Sequence, residues 1–423
     1  MDFDTIVIGG GLSGLVAAAA SAQKGQRVGV VSSGMGDMLT FTGCIDLLAY
    51  YPGESTRPGP APDILLDQLA ADNSEHPYAL AGRQWIEDAI RFFKGLLPEW
   101  EYQGNLDRLI PLPTVMGTVK LTGIIPRSMS AGDLEEEGEM LVVGFQGLRE
   151  FSAPSLAGNL AAAGSEHMQA EGVRGETITV DDISKCGGAT NTALARRLER
   201  EDLLDSIVQQ VRPLVGTASR IGFPAILGLT EDGPTREHLE GRLGVRIFEV
   251  PGLPPSIPGQ RLFNHLHNAL SRFNVRLMLG SRVMGVSLED RQCRSIHVFR
   301  HGRTTEMCAH RFILATGGIR GGGLVAERSG LLEPLYGLPV CQPSKRGTWF
   351  RTCMFDPEGH PLDRSGVKAN TNLQPVDAAG RVLIDNVRVC GRILAYQDPL
   401  REKSGGGVAV ATGFKAGSLC ADE

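Results

Sequence analysis

The chain has 423 residues, 42% of them hydrophobic, so it can bury a sizeable core and is long enough for two domains. Its 42 lysines and arginines face 48 acidic residues, and this net charge of −6 gives no basic signature of nucleic-acid binding. Eight scattered cysteines without a C-x-x-C spacing predict free thiols and no zinc or iron–sulfur site. The longest apolar runs are too short to cross a bilayer, and we expect no signal peptide.

The chain opens with a predicted strand, a glycine turn and a helix. Thr5–Ile8 is a short apolar run typical of a buried strand, and Leu15–Ala20 is a strong helix former. Between them, Gly9 permits a tight turn, Gly11 lets a phosphate approach the backbone, and Gly14 lets the helix pack against the strand. The helix N-terminus adds N–H groups and a partial positive charge. We therefore predict nucleotide or flavin binding by Gly9, Gly10, Gly11, Leu12, Ser13 and Gly14.

A second parallel strand is predicted at Gln26–Val31, and the residues after it bear on the choice of cofactor. In this fold, an acidic residue at this place often binds the ribose of an adenosine. Ser32 and Ser33 stand there instead. FMN has no adenosine and fits this combination better than FAD, so we predict FMN. The alternative is an ordinary FAD site in which a serine or a backbone group holds the ribose.

The sequence of Thr40–Tyr50 predicts a polar turn that is followed by a helix. In flavoproteins with this kind of opening, such a segment lies beside the isoalloxazine and the phosphates. Thr42 and Gly43 are therefore candidate cofactor contacts, with a helix cap by Thr42 as the alternative. The Pro- and Gly-rich stretch Tyr51–Pro62 then reads as a surface loop that leaves the nucleotide-binding domain.

The middle of the chain alternates predicted strands and helices, which indicates a second α/β domain with a parallel or mixed sheet. The predicted strands are 140–145, 177–180, 225–229 and 245–250, and the predicted helices are 76–100, 155–163, 190–211 and 235–243. We expect this domain to occupy residues 61–284. It would be inserted between the two parts, 1–60 and 285–423, of a discontinuous Rossmann-like flavin-binding domain.

A helix is predicted at Arg261–Phe273, after a proline-rich loop. Arg261 and His265 are four residues apart and therefore share a helix face. This pair predicts a site for a substrate phosphate or carboxylate. The alternative is an ordinary solvated helix face.

The remaining glycine-rich motifs lie late in the chain. A predicted β-meander ends in Phe312–Gly318, where the small residues around Thr316 and Gly317 allow close approach to a cofactor. Three further glycines precede a predicted helix at Val408–Gly417, and their N–H groups could bind a flavin carbonyl or phosphate. These glycines are Gly405, Gly406 and Gly407. We expect all three glycine-rich segments to converge in one place.

Several motifs together resemble the B subunit of the anaerobic glycerol-3-phosphate dehydrogenase, a flavoprotein family. They are GGGLSGL, SSGMGDMLTFTGCIDLL, VVGFQGLREF, LPPSIPGQRL, ILATGGIRGGGLVAER and SGGGVAVATG, in this order over the whole length. The resemblance implies a flavoprotein subunit that binds FMN, in agreement with Ser32 at the end of the second predicted strand. It also implies two partners, the FAD-bearing A subunit of the same complex, and the iron–sulfur C subunit, which anchors the pair to the cytoplasmic side of the inner membrane. One departure is Ser404, where the family pattern has a cysteine.

The resemblance further implies oxidation of sn-glycerol 3-phosphate to dihydroxyacetone phosphate, with electrons passed to the respiratory quinone pool. Whether the substrate reacts in this subunit or in its partner stays open. Arg261, His265 and Arg328 are candidates for the substrate phosphate or the base. Two alternatives remain, another flavin-dependent oxidoreductase of the fumarate reductase or aspartate oxidase type, and a flavin-free binding module on the same fold.

Overall fold

The structure, a computed structural model, describes residues 3–54, 57–163, 172–180, 190–230 and 233–422. It divides the chain into two compact units, each assembled from separate segments. The first unit comprises Met1–Asp37, Ile45–Pro98 and His265–Glu423, and the second comprises Met38–Cys44 and Glu99–Asn264. Cys186 lies outside the described residues, and the other seven cysteines are free thiols.

The strands follow the chain in numerical order. They are β1 (Phe3–Ile8), β2 (Val28–Ser32), β3 (Gln103–Gly104), β4 (Ile110–Pro113), β5 (Val119–Thr122), β6 (Ile124–Ile125), β7 (Met140–Phe145), β8 (Val173–Ile178), β9 (Arg220–Pro224), β10 (Arg246–Val250), β11 (Arg276–Leu279), β12 (Arg282–Glu289), β13 (Gln292–Arg300), β14 (Arg303–Leu314), β15 (Val325–Ala326), β16 (Leu331–Leu332), β17 (Val340–Cys341), β18 (Gly366–Val367) and β19 (Val387–Val389).

The α-helices of the described residues are numbered in the same way. They are α1 (Leu12–Gln23), α2 (Pro62–Asp72), α3 (Pro77–Ala81), α4 (Arg83–Leu96), α5 (Arg127–Ser130), α6 (Ala153–Ala163), α7 (Asn191–Arg197), α8 (Glu201–Val211), α9 (Gly233–Leu243), α10 (Ile257–Arg272), α11 (Pro399–Glu402) and α12 (Gly405–Asp422).

The first unit is built on a seven-stranded sheet of order β11-β2-β1-β14-β13-β12, with β19 also paired to β14. Strands β11, β2, β1, β14 and β19 run parallel, and β12, β13 and β14 form the antiparallel meander. This is the doubly wound arrangement in which ligands bind outside the carboxyl ends of the strands. The carboxyl end of β1 leads directly into the predicted glycine turn.

Helices α1 and α12 cross with their backbones in contact. A Cβ atom added to Gly413 or to Gly417 would overlap the carbonyl oxygen of Ser13 or of Ala17, respectively. The Ser21 hydroxyl also donates to the Gly417 carbonyl at 2.8 Å. Glycines spaced by four on α12 therefore meet small residues spaced by four on α1, because both sets lie on one helix face. This crossing attaches the end of the chain to its beginning.

The unit boundaries differ from the predicted ones at both ends of the insertion. Helices α2, α3 and α4 belong to the first unit, where the ring of Phe92 on α4 lies 4.8 Å from the ring of Phe414 on α12. At the other end, β11 pairs with β2, so residues after 264 also belong to the first unit. Both differences arise from pairings between elements hundreds of residues apart, which local patterns do not reveal.

The second unit has a four-stranded parallel sheet of order β10-β9-β7-β8. Its core is formed by the apolar side chains of these strands and of the helices between them, including Val142, Leu156, Ile207 and Phe248. Strands β7 and β10 agree with the predicted strands to within one residue. The second unit thus has an α/β architecture of its own, and the assignment of residues 61–284 to an inserted domain stays a prediction.

The local predictions for 225–229 and for Thr40–Tyr50 are wrong. The stretch 225–229 is not a strand, because β9 ends at Pro224 and two successive tight turns follow, with Ile226 N–H donating to Pro224 O and Gly228 N–H to Ile226 O. The segment Thr40–Tyr50 does not become a helix. Its N–H groups at Ala49 and Tyr50 donate instead to the Glu402 carbonyl, a partner 353 and 352 positions away.

Candidate functional site

The helix N-terminus at the glycine turn is open toward a ligand. Gly11 precedes the first residue of α1, and no side chain caps this end. The N–H groups of the first helical turn lack partners within the helix. A Cβ atom on Gly11 would meet no heavy atom within 4 Å, so the missing side chain leaves free space beside these donors. The turn therefore has the shape and the donors that a phosphate requires.

The other two glycines of the motif have packing roles. Gly9 has a φ of +120°, and a Cβ there would overlap the Ala315 carbonyl oxygen. A Cβ on Gly14 would overlap the Gly9 carbonyl oxygen. These two positions accept only glycine because strand β1, helix α1 and the end of β14 meet there. The motif thus divides into two packing glycines and one that faces open space.

Ser32 braces the glycine turn. Its hydroxyl accepts a hydrogen bond from Gly10 N–H at 3.0 Å and donates one to the Gly34 carbonyl at 2.6 Å. The loop after β2 then passes beside the turn, since a Cβ on Gly36 would lie 2.9 Å from Gly11 Cα. Ser33 is exposed. The hydroxyl that replaces the usual carboxylate is therefore already engaged within the protein.

The segment after β14 lies against the glycine turn. Ala315 N–H donates to the Ile8 carbonyl at 2.8 Å, so this segment continues the pairing of β14 with β1. Gly317 has a φ of +77°, and a Cβ on Gly323 would lie 2.6 Å from Thr316 Oγ1, so the loop folds back on itself. Thr316 Oγ1 is buried and has no hydrogen-bond partner among the described residues. It is a polar atom available to a ligand.

The terminal triple glycine is closely packed against residues 45–47. A Cβ on Gly407 would overlap the Tyr78 hydroxyl, and a Cβ on Gly406 would lie 3.0 Å from Asp46 N. Gly407 N–H donates to the Asp46 carbonyl at 2.8 Å. Two of the three glycines therefore permit close backbone approach. Their contact with a flavin, and that of Gly405, stays a prediction.

A buried polar network lies just before this glycine run. The Glu402 carboxylate accepts hydrogen bonds from His76 Nε2–H at 3.2 Å, Ser404 Oγ–H at 2.8 Å and Asp398 N–H at 2.8 Å. His76 Nδ1 accepts from Tyr78 N–H, which places the imidazole proton on Nε2. Burial raises the pKa of Glu402, but the bonds from His76, Asp398 and Ser404 outweigh it and lower this pKa. Ser404 thus acts as a hydrogen-bond donor to a buried carboxylate.

Thr42 and Gly43 belong to the second unit. Gly43 has a φ of +90° and is buried, and its carbonyl accepts a hydrogen bond from the Tyr102 hydroxyl at 2.9 Å. Thr42 Oγ1 accepts from Cys44 N–H at 3.4 Å without capping a helix. Their proposed contact with a cofactor stays a prediction.

Arg261 has a structural role in the second unit. Its guanidinium donates to both Glu249 carboxylate oxygens, at 2.8 and 2.7 Å, and to the Gly228 carbonyl at 2.9 Å. Both side chains of this ion pair are almost fully buried. We therefore do not retain Arg261 as a substrate-binding candidate, because its donors are engaged with the protein. His265 is partly buried on α10, and Arg328 is exposed between β15 and β16.

Comparison with known proteins identifies the family. The family model described as "FAD binding domain" matches residues 4–408. The B subunit of the probable anaerobic glycerol-3-phosphate dehydrogenase of Halobacterium salinarum is 32% identical to this chain, with 100% of this chain and 98% of the relative aligned. The chain belongs to this B-subunit family. The corresponding protein of Aliivibrio fischeri is 28% identical over 98% of this chain and 94% of its own.

Solved structures of flavoenzymes are also similar, at a lower level. The 3-ketosteroid Δ1-dehydrogenase of Sterolibacterium denitrificans aligns over 100% of both chains with 13% identity and a TM-score of 0.44. A flavocytochrome c3 fumarate reductase aligns over 99% of this chain and 78% of its own, with 10% identity and a TM-score of 0.44.

The first unit fits the flavin that this family binds. The open turn at Gly11 supplies unpaired N–H groups, and Thr316 Oγ1 supplies a buried hydroxyl without a partner among the described residues. The chain is thus a flavin-binding protein with the Rossmann-like fold predicted from its sequence. The family model carries the name of FAD, which is the alternative to the predicted FMN.

Some charged residues of the first unit were not predicted. His76 and Glu402 are 326 positions apart, and no sequence spacing indicates their pairing. Arg392 lies close to two of the segments predicted to bind the cofactor, at Ser13 and at Gly318, but it forms no recognisable motif. The described residues contain no group of three or more potential metal ligands. They also contain no helix long and apolar enough to span a membrane.

Proposed function

We propose that this chain is the flavin-binding B subunit of an anaerobic glycerol-3-phosphate dehydrogenase. The complex would oxidise sn-glycerol 3-phosphate to dihydroxyacetone phosphate, with two electrons passing to the respiratory quinone pool. The observation that carries the proposal is the full-length similarity to the B-subunit relatives, with the open glycine turn intact. The names of these relatives supply the substrate and the assembly into a complex.

The bound flavin would supply the acceptor for the hydride from carbon 2 of the substrate. The residues of this chain would hold and orient it. The N–H groups after Gly11 would donate to its phosphate, and Thr316 Oγ1 would contact its polar atoms. The close packing at Gly9 and Gly14 would hold these donors in place, because β1, α1 and the end of β14 are in close backbone contact there.

The flavin would be FMN. Ser32 is short and neutral, and both of its hydrogen-bonding directions are engaged with Gly10 and Gly34. It therefore offers no carboxylate to an adenosine ribose. The loop at Gly36 also lies against Gly11, next to the end of β2 where an adenosine would begin. FMN has no adenosine, so it requires neither a carboxylate at the end of β2 nor space for an adenosine beside it.

The partners would be the FAD-bearing A subunit of the complex, and the iron–sulfur C subunit, which anchors the complex. The chain would then lie on the cytoplasmic side of the inner membrane, attached through those partners. The names of the relatives, each the B subunit of a dehydrogenase, support the assembly into a complex. The family resemblance supports the identity of the two partners.

The test is reconstitution of the complex with and without this chain. The FAD-bearing and iron–sulfur partners would be co-expressed with this chain, and membranes assayed for quinone reduction by glycerol 3-phosphate. We expect activity only with all three proteins, and none from this chain alone.

Rapid mixing of this chain alone with glycerol 3-phosphate is a second experiment. Bleaching of its flavin would show that the substrate is oxidised in this chain, and no bleaching would place the oxidation in the FAD-bearing partner. Electron transfer between the flavin and a dicarboxylate, instead of glycerol 3-phosphate, would favour an enzyme of the fumarate reductase or aspartate oxidase type. A colourless purified chain would favour a flavin-free binding module.

A further inference from the structure

Arg392 lies close to two of the segments predicted to bind the cofactor. It follows Gly391, which has a φ of +77° and at which a Cβ would overlap the Ser13 hydroxyl at the start of α1. A Cβ on Gly318 would lie 3.2 Å from Arg392 Cγ. The backbone before Arg392 therefore lies close to the first turn of α1, and the Arg392 side chain lies against the loop after β14.

The guanidinium of Arg392 is only partly satisfied by the protein. Its Nη2 donates to the Asp363 carbonyl oxygen. Its Nη1 is buried and has no hydrogen-bond partner among the described residues. Burial lowers the pKa of Arg392, while the negative charges of Asp363, Asp398 and Glu402 raise it. A buried cationic donor without an acceptor is destabilising, so this nitrogen is placed for an acceptor that the chain itself does not supply.

The chemistry of the missing acceptor follows from the donor. A guanidinium has donors only and keeps its charge, so it favours an anionic oxygen, and phosphate oxygens match its planar fork. FMN and glycerol 3-phosphate both carry a phosphate monoester. FAD carries a pyrophosphate instead, which has no terminal monoester. The free donor of Arg392, close to the first turn of α1, therefore suits the phosphate of either of these two molecules.

We propose that Arg392 binds a phosphate monoester through Nη1, either that of FMN or that of glycerol 3-phosphate. The inference rests on the proposed function, because it assigns a recognition residue to that same site. Arg392 supplies charge at one side of the phosphate, and the N–H groups of α1 supply neutral donors. No sequence motif singles this residue out.

The first arm of the test measures recognition of the cofactor phosphate. Flavin-free protein is titrated with FMN and with riboflavin, which lacks the phosphate, and flavin fluorescence gives both dissociation constants. Wild type, Arg392→Gln and Arg392→Lys are compared with Arg381→Gln. Arg381 is a matched control because its side chain is 82% exposed and paired with Asp377 in the same unit.

If Arg392 binds the flavin phosphate, Arg392→Gln lowers the preference for FMN over riboflavin by about 10- to 100-fold. Its riboflavin affinity stays at the wild-type value, which shows that the site is folded. Arg392→Lys keeps the charge and recovers part of the preference. Arg381→Gln retains all of it.

The second arm measures recognition of the substrate phosphate. Flavin-loaded protein, alone and in the complex, is titrated with glycerol 3-phosphate and with glycerol by calorimetry. If Arg392 binds the substrate instead, the FMN preference is unchanged in Arg392→Gln. The affinity for glycerol 3-phosphate then falls about 10- to 100-fold, and inorganic phosphate competes only in the wild type.

The proposal is overturned if both phosphate preferences in Arg392→Gln stay within twofold of wild type. It is equally overturned if this variant loses riboflavin and FMN affinity by the same factor, since that indicates a structural role. Failure of the proposed function looks different. In that case the wild type and its complex bind no glycerol 3-phosphate, while the FMN preference still depends on Arg392.

Discussion

Gly11 differs from its neighbours in the motif because its missing side chain faces empty space. A Cβ on Gly9 or Gly14 would overlap backbone oxygens, whereas one on Gly11 would touch nothing within 4 Å. The same spacing of glycines thus contains two residues needed for packing and one, Gly11, that we expect to face the ligand. Substitution at Gly11 separates the two roles.

Gly11→Val should fold normally and lose its flavin. The reason is steric, because the valine side chain would fill the space that a phosphate needs beside the N–H groups of α1. Flavin content per folded chain, from absorbance and circular dichroism, measures the effect. Gly95→Val in α4 is the control, since a Cβ there also meets nothing within 4 Å, and it should keep its flavin. Full flavin occupancy in Gly11→Val would disprove the binding of the flavin phosphate at the glycine turn.

Arg261→Ala should destabilise the protein without altering the flavin. Removal of one partner leaves Glu249 buried without its counter-charge, which costs about 3–5 kcal/mol in the free energy of unfolding. Urea unfolding followed by circular dichroism measures this loss. Arg200→Ala, in an exposed pair with Asp202, should change stability by less than about 0.5 kcal/mol. Normal stability combined with lost substrate binding would make Arg261 a substrate-binding residue after all.

At the residue scale, the sequence was informative where one local pattern defines a role. The glycine spacing predicted the open turn, because strand, turn and helix are contiguous in the chain. The engagement of Ser32 with Gly10 and Gly34 was not predictable, although its place at the end of β2 was. Arg392 was missed because its neighbours Ser13 and Gly318 come from distant parts of the chain.

At the scale of elements, the crossing of α1 and α12 packs the C-terminal helix against the helix that begins at the glycine turn. Gly413 and Gly417 let the two backbones touch at Ser13 and Ala17. Ser13 lies in the first turn of α1, so the same contact that packs the helices also fixes the end that faces the ligand. The position of the glycine turn therefore depends on the C-terminal helix.

Gly417→Leu should destabilise the first unit. The added side chain would overlap the Ala17 carbonyl and force the helices apart, which costs roughly 2–3 kcal/mol in the free energy of unfolding. Urea titration measures the change. Gly158→Leu on the exposed face of α6 is the control, and it should be neutral or stabilising by up to about 1 kcal/mol. Equal stability of the two variants would refute the close crossing.

Elements with a clear local period were predictable, and elements defined by tertiary contacts were not. The predicted meander is present as β12–β14 and β7 lies at its predicted position, because strand patterns are local. The predicted helix at 76–100 is divided into α3 and α4 by Gly82, which has a φ of +84°. The segment 45–50 is not helical because backbone hydrogen bonds join it to Glu402 and Gly407.

At the scale of the whole molecule, the sequence did not reveal where the two units begin and end. The return of the chain to the first sheet at β11 and the packing of α4 on α12 are contacts across the length of the chain. The cofactor assignment depends on the first unit alone, since the glycine turn, Ser32, Thr316 and Arg392 all lie in it.

Identification of the flavin released by heat from the purified wild-type chain tests the central claim most directly. Chromatography and mass determination of the released cofactor give both its identity and its amount per chain. We predict about one FMN per chain, because Ser32 provides no carboxylate for an adenosine and the turn at Gly11 accepts a phosphate. Stoichiometric FAD would contradict the argument from Ser32, and absence of any flavin would contradict the account of the site as a whole.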